Sequence, residues 1–145
     1  MDVRTATAQD LPAVTALLAD AGLSTVGVDP DTVTLLVAED AGAVVGAAAV
    51  EAHSGHGLLR SVVVDERLRG RALGTELVTA AVARAAGSGL TDLWLLTESA
   101  EGFFATQGWR RMTAADIPET MQISPEYAAH CSDSAAVMVR DLGRR

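Results

Sequence analysis

Residues 59–74 read LRSVVVDERLRGRALG, and this stretch decides how the rest of the chain is interpreted. An apolar run over 59–64 leads into a turn with the small residues Gly70, Ala72 and Gly74, where a helical apolar pattern begins. Small residues let backbone N–H groups converge at a helix start, which favours an anion such as a phosphate. Arg69 and Arg71 add positive charge. The stretch predicts a strand, an anion-binding turn and a helix; a tight turn with solvated arginines is the alternative.

Two common phosphate-binding motifs do not fit this turn. A Walker loop ends in Gly-Lys-Ser/Thr, and the chain contains no lysine. A Rossmann fingerprint needs an acidic residue at the end of a second parallel strand about 20 residues further on. Asp92 stands at that distance but precedes its predicted strand. Both motifs are therefore excluded.

The periodicity of apolar residues gives the order of elements around the turn. Strands are predicted over residues 3–6, 34–39, 43–53, 56–64, 93–97, 109–112 and 135–142. Helices are predicted over 10–21, 73–86 and 100–107. Residues 27–31 are expected to form turns, with room for a short helix around Pro30, and 116–130 to be irregular or weakly helical. This order predicts one α/β domain over residues 1–145, a mixed sheet covered by helices.

Composition excludes several classes of protein. The formal net charge of −8 at pH 7 argues against nucleic acid and anionic membrane surfaces as partners, because both need clustered cations. Cys131 is the only cysteine, so no disulfide framework or cysteine-rich metal site is expected, and Cys131 is predicted to be structural. The chain start lacks a signal-peptide pattern and no apolar run reaches the roughly 18 residues that span a bilayer, so a cytoplasmic location is expected.

Two blocks together resemble the GNAT N-acetyltransferase superfamily. Its acetyl-CoA loop has Arg or Gln, two residues, Gly, one residue, then Gly or Ala after the fourth strand, and residues 69–74 (RGRALG) are similar to it. Residues 95–109 (LLTESAEGFFATQGW) look like the family's fifth strand and the helix after it. The resemblance implies a single-domain GNAT fold with a mixed, mostly antiparallel sheet flanked by helices. It also implies acetyl-CoA as co-substrate and no metal.

Within the superfamily, the sequence most resembles the GNAT proteins of arsenic-resistance operons and, more distantly, amino-acid acetyltransferases of the N-acetylglutamate synthase type. The residues that carry this likeness are Leu59-Arg60-Ser61, Leu96-Thr97, Ile117-Pro118, Cys131 and Met138. It implies acetylation of a small, carboxylate-bearing amine, with a role in arsenic or toxic-amine resistance. A peptide or protein N-terminal acetyltransferase and a catalytically degenerate acyl-CoA-binding sensor stay open as alternatives, as does a homodimer.

The resemblance also assigns the acetyl-CoA site. In the family, the fourth strand pairs with the pantetheine arm and points a backbone amide at the thioester carbonyl. By alignment these groups belong to Val62 and Val64, and Val64 is assigned the catalytic amide. The residues expected to bind the cofactor are Val62, Val63, Val64, Arg69, Gly70, Arg71, Ala72, Leu73, Gly74, Thr75, Thr97, Ala100 and Phe104.

Three residues depart from the family pattern. Ala72 replaces the usual first glycine of the loop, which is tolerable if its φ is negative. Thr97 stands where many members have asparagine. Phe104 stands where many members have a tyrosine thought to protonate the leaving thiolate of CoA. That proton must then come from water or another residue, or is not needed.

Ser54-Gly55 is a two-residue hairpin signal, and it predicts which residues share a face of the sheet. Residues directly opposite in an antiparallel pair lie on one face, which alternates along each strand. Strict alternation predicts one face that holds His53, His56, Glu51, Arg60, Val62 and Val64.

This face supplies the candidates for acceptor chemistry. Family bases act from the positions of Arg60 and Leu58, neither of which is a base, so Glu51 is the candidate base, acting through a water. An exposed carboxylate is the alternative for Glu51, and a solvated hairpin histidine is the alternative to substrate binding by His53. An arginine within an apolar strand is costly to bury unless it is paired. Arg60 therefore pairs with Glu51 or a neighbour, or binds a substrate carboxylate; we favour substrate binding.

Overall fold

The computed structural model describes residues 2–69, 72–122, 124 and 135–142, and the structural statements below concern these residues. The strands are β1 (Asp2–Thr5), β2 (Thr34–Asp40), β3 (Ala43–His53), β4 (His56–Val64), β5 (Asp92–Thr97), β6 (Arg110–Met112) and β7 (Ala136–Asp141). The helices are α1 (Leu11–Asp20), α2 (Leu73–Gly87) and α3 (Glu101–Thr106). Short 3-10 turns lie at Ala8–Asp10, Glu66–Leu68, Ala114–Asp116 and Glu119–Met121.

The sheet runs in the order β1-β2-β3-β4-β5-β7-β6. Its neighbouring strands are antiparallel except for β4 and β5, which are parallel. The predicted mixed, mostly antiparallel sheet flanked by helices is therefore confirmed. In the described part of the chain, no helix is both long enough and apolar enough to cross a membrane.

Helices α1 and α2 cover opposite faces of the sheet. Val14 of α1 lies in one buried cluster with Ala47 and Ala49, whereas Leu77 of α2 lies in another with Ala48. Successive residues of a strand point to opposite faces, so the alternation along β3 separates the two clusters. The three alanines are fully buried, and their small side chains let both helices pack close to the centre of the sheet.

The β3–β4 hairpin has the predicted register at its turn but not at its far end. His53 pairs with His56, and Ala49 with Arg60, as the Ser54-Gly55 signal predicts. The register then shifts: Ala47 pairs with Val63, so Ser61 and Val62 together lie opposite Ala48. This arrangement is a β-bulge, and Ser61 has a φ of 59° within it.

The bulge makes one prediction wrong. Val62 and Val64 do not share a face with Arg60, because one extra residue reverses the alternation of side chains beyond it. Val62 and Val64 pack on the cluster under α2, while Val63 joins the cluster under α1.

Other differences from the sequence-based expectations concern the irregular segments. Residues 27–31 form turns without a helix around Pro30. The segment predicted to be irregular, 116–130, begins at the last residue of the 3-10 turn Ala114–Asp116 and contains the 3-10 turn Glu119–Met121. Most of its remainder, together with Cys131, lies outside the described residues, so the structural role predicted for Cys131 stays a prediction.

Candidate active site

The parallel strands β4 and β5 diverge soon after they meet. They pair at His56 with Asp92, Gly57 with Leu93, and Leu58 with Trp94. A Cβ at Gly57 would lie 2.6 Å from Leu93 Cδ2, so glycine permits this close approach. Beyond Leu58 no further pair joins β4 to β5 among the described residues. The strands therefore leave a gap in the middle of the sheet.

The gap opens into a cavity of about 660 Å³. Described residues that line it are 21–23, 59–64, 69, 95–100, 103 and 104. They come from the end of α1, the outer half of β4, the turn after β4, the end of β5 and α3. The cavity thus lies where three loops and two separating strands meet.

The bulge at Ser61 orients backbone groups of β4 toward this gap. The N–H of Asp65 donates to the carbonyl oxygen of Val45 at 2.7 Å, so the backbone of Asp65 faces β3. Backbone groups of successive strand residues point to opposite sides. The N–H groups of Val64 and Val62 therefore face the gap, where two donors can bind an oxygen that gains negative charge.

The β5 side of the cavity combines a helix cap with an aromatic wall. Thr97 Oγ1 accepts a hydrogen bond from the N–H of Ala100 at 3.0 Å, just before α3 begins. The ring of Phe104 packs edge-on against Phe103 at 5.0 Å and Trp109 at 5.6 Å between centroids. Phe104 lines the cavity and has no hydroxyl, so it contributes apolar surface but no proton.

The structure places the predicted cofactor residues in two groups. Those that line the cavity are Val62, Val63, Val64, Arg69, Thr97, Ala100 and Phe104. Ala72, Leu73, Gly74 and Thr75 are not among the described lining residues, and Gly70 and Arg71 lie outside the described residues. Gly74 is nevertheless close, since a Cβ there would lie 3.7 Å from Phe103 Cζ. Cofactor binding by each residue stays a prediction.

The start of α2 has no side-chain cap, and its N-cap residue is Ala72. The condition under which alanine is tolerable at this position, a negative φ, is not met: Ala72 has a φ of 62° and a ψ of 12°. Glycine adopts this left-handed conformation without steric cost, whereas the Cβ of alanine makes it unfavourable. Within the described residues, no side chain caps the first N–H groups of α2, so they can bind an anion.

Glu51 is the centre of a buried hydrogen-bonded group. Its carboxylate accepts from Arg60 Nη1 at 2.8 Å, from Ser124 Oγ at 2.6 Å and from His53 Nε2 at 2.9 Å. Burial raises the pKa of Glu51, but the hydrogen bonds from Ser124, Arg60 and His53 outweigh it, and the pKa lies below its ordinary value. Such a carboxylate is a weak base at neutral pH.

Glu51 and His53 are not among the described residues that line the cavity. Glu51 is buried, with 7% of the residue exposed, so the exposed-carboxylate interpretation of the sequence is wrong. The reason is that Ser124, far along the chain, packs over it. The catalytic part predicted for Glu51 and the substrate contact predicted for His53 stay predictions.

The side chain of Arg60 is fully buried and lies on the α1 face of the sheet. Its exposed fraction is 0%, so Arg60 contributes to the cavity wall through its main chain. Besides the ion pair with Glu51, its Nε donates to Ser61 Oγ at 3.0 Å. A Cβ at Gly27 would lie 3.4 Å from Nη1, which places the α1–β2 loop directly over the guanidinium. The structure thus shows the pairing with Glu51, and a substrate contact stays a prediction.

Several residues of the site are not predicted by the sequence. Ser61 had a usable signal, a serine inside an apolar strand immediately before Val62. Residues 21–23 had none, because their place in the cavity depends on how α1 packs. Among the described residues, no group of three or more His, Cys, Asp and Glu side chains could hold a metal ion.

Comparison with known proteins gives one family match and a set of similar folds. The family described as acetyltransferase (GNAT) domain matches residues 31–111. Among curated proteins, none matches the sequence. The solved structure of N-acetylglutamate synthase from Neisseria gonorrhoeae, complexed with coenzyme A and N-acetyl-glutamate, is 22% identical with a TM-score of 0.84. The match covers 99% of this chain and 35% of that one, so the chain spans about a third of its length.

Two further structures match over nearly their whole length. One is Rv2747 from Mycobacterium tuberculosis in a complex that includes CoA, which is 21% identical with a TM-score of 0.81. The match covers 97% of this chain and 99% of that chain. The other is the ribosomal-protein-S18-alanine N-acetyltransferase from Escherichia coli, which is 14% identical with a TM-score of 0.71. The match covers 99% of this chain and 95% of that chain. At these identities the likeness establishes a shared fold.

Proposed function

The chain belongs to the GNAT acetyltransferase family, and on that premise we propose that it transfers an acetyl group from acetyl-CoA to the amine of a small, carboxylate-bearing molecule. One observation carries the proposal: the gap between β4 and β5 opens into a cavity toward which the N–H groups of Val62 and Val64 point. Acetyl-CoA, when bound, supplies the activated acetyl group as a thioester.

The described residues fit this co-substrate. Unpaired backbone N–H groups on β4 suit the amides and the thioester carbonyl, and the uncapped start of α2 near Arg69 suits the phosphates. As the amine attacks, negative charge develops on the carbonyl oxygen, and a positioned donor such as the N–H of Val64 is worth about 2.7–4 kcal/mol. Phe104 and Leu95 form an apolar wall that limits water near the reacting atoms.

The carboxylate on the acceptor is supported by the charges around the cavity. Among the described lining residues, the cations are Arg60 and Arg69, and the one carboxylate is Glu98. The guanidinium of Arg60 is buried on the α1 face in its ion pair with Glu51, whereas Arg69 is exposed, so Arg69 is the cation of the described wall that an acceptor can contact without a rearrangement. The solved gonococcal enzyme of similar fold contains N-acetyl-glutamate, an acetylated amino acid. We extend the proposal to arsenical and other toxic amines on sequence resemblance alone.

The experiment is an acetyl-CoA turnover screen that measures free thiol over amino acids, aminophosphonates, arsenical amino acids, polyamines and short peptides. Each amino acid is paired with its amide, which keeps the size and removes the carboxylate charge. We expect turnover with at least one carboxylate-bearing amine, with kcat/KM at least about tenfold lower for its amide, equivalent to about 1.4 kcal/mol.

Two outcomes would contradict this proposal in different ways. Turnover confined to peptides would identify an N-terminal acetyltransferase. Tight binding of acetyl-CoA by calorimetry with no turnover on any amine would identify a sensor module, the alternative that the missing hydroxyl at Phe104 favours.

A further inference from the structure

Acetyl transfer releases a proton, and few described residues of the cavity wall could move it: Glu98, the one carboxylate among them, is exposed after the end of β5. Phe104 has no hydroxyl, and Glu51 is buried among hydrogen-bond donors away from the described cavity wall. The reaction converts an amine N–H and a thioester into an amide and a thiol. One proton must therefore pass from the nitrogen to the sulfur.

Ser61 is a residue of the cavity wall that carries a hydroxyl. It directly precedes Val62, whose N–H faces the gap, and it lines the cavity while being 7% exposed. Its Oγ accepts a hydrogen bond from Arg60 Nε at 3.0 Å. Among the described residues the hydroxyl proton of Ser61 has no acceptor, so it is available to a ligand.

A chain of hydrogen bonds through two charged side chains ends at this hydroxyl. Glu51 fixes Arg60 through Nη1 at 2.8 Å, and Arg60 in turn donates through Nε to Ser61. A hydrogen bond from a cation stabilises negative charge on Oγ, which makes the Ser61 hydroxyl a better proton donor. Arg60 and Glu51 act through Ser61 and are positioning residues in this scheme.

The backbone of Ser61 supports a functional reason for the side chain. Its φ of 59° lies in the left-handed region, which glycine adopts without steric cost and serine does not. Such outliers persist where surrounding structure enforces them and are concentrated at active sites. Glycine at this position would remove the backbone strain, so the presence of serine favours a function for its hydroxyl.

We propose that Ser61 relays the proton from the attacking amine to the leaving thiolate, an inference that rests on the proposed function. The amine nitrogen forms a bond to the carbonyl carbon and becomes positively charged. As the carbon–sulfur bond breaks, Oγ gives its proton to the sulfur and takes one from the nitrogen. The products are an amide and a free thiol, and Ser61 returns to its starting state.

Two other described residues of the cavity wall carry a hydroxyl, the exposed Ser99 and the half-buried Thr97, and Thr97 is the stronger rival. Its Oγ1 is occupied as the acceptor for the N–H of Ala100, and it lies on the β5 wall, where no cation contacts it in the described part of the chain. Ser61 has both a polarising cation and the place beside Val62, which is why the relay is assigned to it.

The test compares Ser61→Ala, Ser61→Gly and Ser61→Cys, using an amine that the wild type acetylates. Removing the hydroxyl should lower kcat about 100-fold or more, with acetyl-CoA affinity by calorimetry within about twofold of wild type. Ser61→Gly also relieves the backbone, so it stays informative if Ser61→Ala folds poorly. Ser61→Cys keeps a transferable proton and should retain kcat within about tenfold.

Ser54 provides the matched control. It is an exposed serine with a φ of 53° in the hairpin turn, away from the cavity, so Ser54→Ala and Ser54→Gly should leave kcat unchanged. The relay is overturned if hydroxyl-free Ser61 variants keep kcat within about threefold, or if acetyl-CoA affinity falls as much as kcat. It is also overturned if Thr97→Val causes the loss instead. Wild-type turnover in the same assay tests the proposed function separately.

Discussion

Ala72 holds a backbone conformation that costs free energy for any residue with a Cβ. Its φ of 62° at the start of α2 places it in the left-handed region, at a cost of about 1–2 kcal/mol. Glycine would remove this cost. It would also stabilise the unfolded chain by about 0.4–1 kcal/mol, because glycine has more conformational entropy there than alanine. We predict that Ala72→Gly raises the free energy of unfolding by about 0.5–1 kcal/mol in urea titrations.

An exposed alanine in the middle of α2 is the control for this substitution. Ala83→Gly replaces alanine in an ordinary helical conformation, so it should lower the free energy of unfolding by about 1 kcal/mol. If Ala72→Gly also lowers it, the positive φ of Ala72 does not represent strain.

The acceptor contact predicted for Arg60 is a test of the acceptor class, although the guanidinium is buried beside Glu51 in this structure. Arg60→Lys keeps a positive charge near Glu51 but loses the planar fork and the Nε donor to Ser61. We predict a lower kcat for every amine, because Ser61 loses its partner. KM should rise about tenfold for carboxylate-bearing amines only. Acetyl-CoA affinity should stay nearly unchanged by calorimetry.

The amide of the same amino acid is the control for the KM effect. An equal rise in KM for the amino acid and its amide, with the fold intact by circular dichroism, would leave Arg60 as a structural partner of Glu51. The case for an amino-acid-like acceptor would then lose its main support from the residues themselves.

At the scale of elements, the junction between β1 and α1 depends on one ion pair. Asp10 accepts from Arg4 Nη1 at 2.8 Å and Nη2 at 3.0 Å, and from the N–H of Thr7 at 2.8 Å. The hydrogen bond from Arg4, then that from Thr7, lowers the pKa of Asp10 to about 2. Because this value lies below that of the unfolded chain, Asp10 stabilises the fold above about pH 4, and the contribution is lost as the pH falls toward 2.

Asp10→Asn should therefore lower the free energy of unfolding at pH 7 by about 1–2 kcal/mol, a modest value because Arg4 is partly exposed. The difference from wild type should shrink as the pH falls from 4 to 2, measured by urea titration at each pH. Asp20→Asn, at the exposed end of α1, is the control and should show little effect. If the difference in the free energy of unfolding between wild type and Asp10→Asn stays constant down to pH 2, the ion pair does not stabilise the fold.

The elements differ in how well the sequence predicts them. The hairpin register follows from Ser54-Gly55, because a two-residue turn determines which residues pair. The bulge at Ser61 does not follow, because an extra residue in the apolar run 62–64 leaves no mark in the alternation. The contact between Ser124 and Glu51 joins positions 73 apart in sequence, which no local pattern predicts.

At the scale of the whole molecule, the bulge divides the side chains of β4 between the two faces of the sheet. Val62 and Val64 lie on the α2 face, where the uncapped helix start lies. Arg60 lies on the α1 face, under the α1–β2 loop. We infer that acetyl-CoA and the acceptor approach from opposite faces and meet in the gap between β4 and β5.

The candidate site was predictable where the family motifs lie and unpredictable where the packing decides. The motif at residues 69–74 and Phe104 are visible in the sequence; Arg69 and Phe104 line the cavity, and acetyl-CoA binding by the motif stays a prediction. The cavity itself exists because β4 and β5 separate beyond Leu58, a property of the twisted sheet and its bulge. Residues 21–23 enter the site only through the packing of α1.

A crystal structure of the complex with acetyl-CoA is the most direct test of the central claim, that the gap between β4 and β5 is the place of acetyl transfer. We expect the thioester carbonyl oxygen within about 3.2 Å of the backbone nitrogen of Val62 or Val64, with the pyrophosphate at the start of α2. A thioester outside the gap, or one whose oxygen lies beyond hydrogen-bonding distance of both nitrogens, would contradict it.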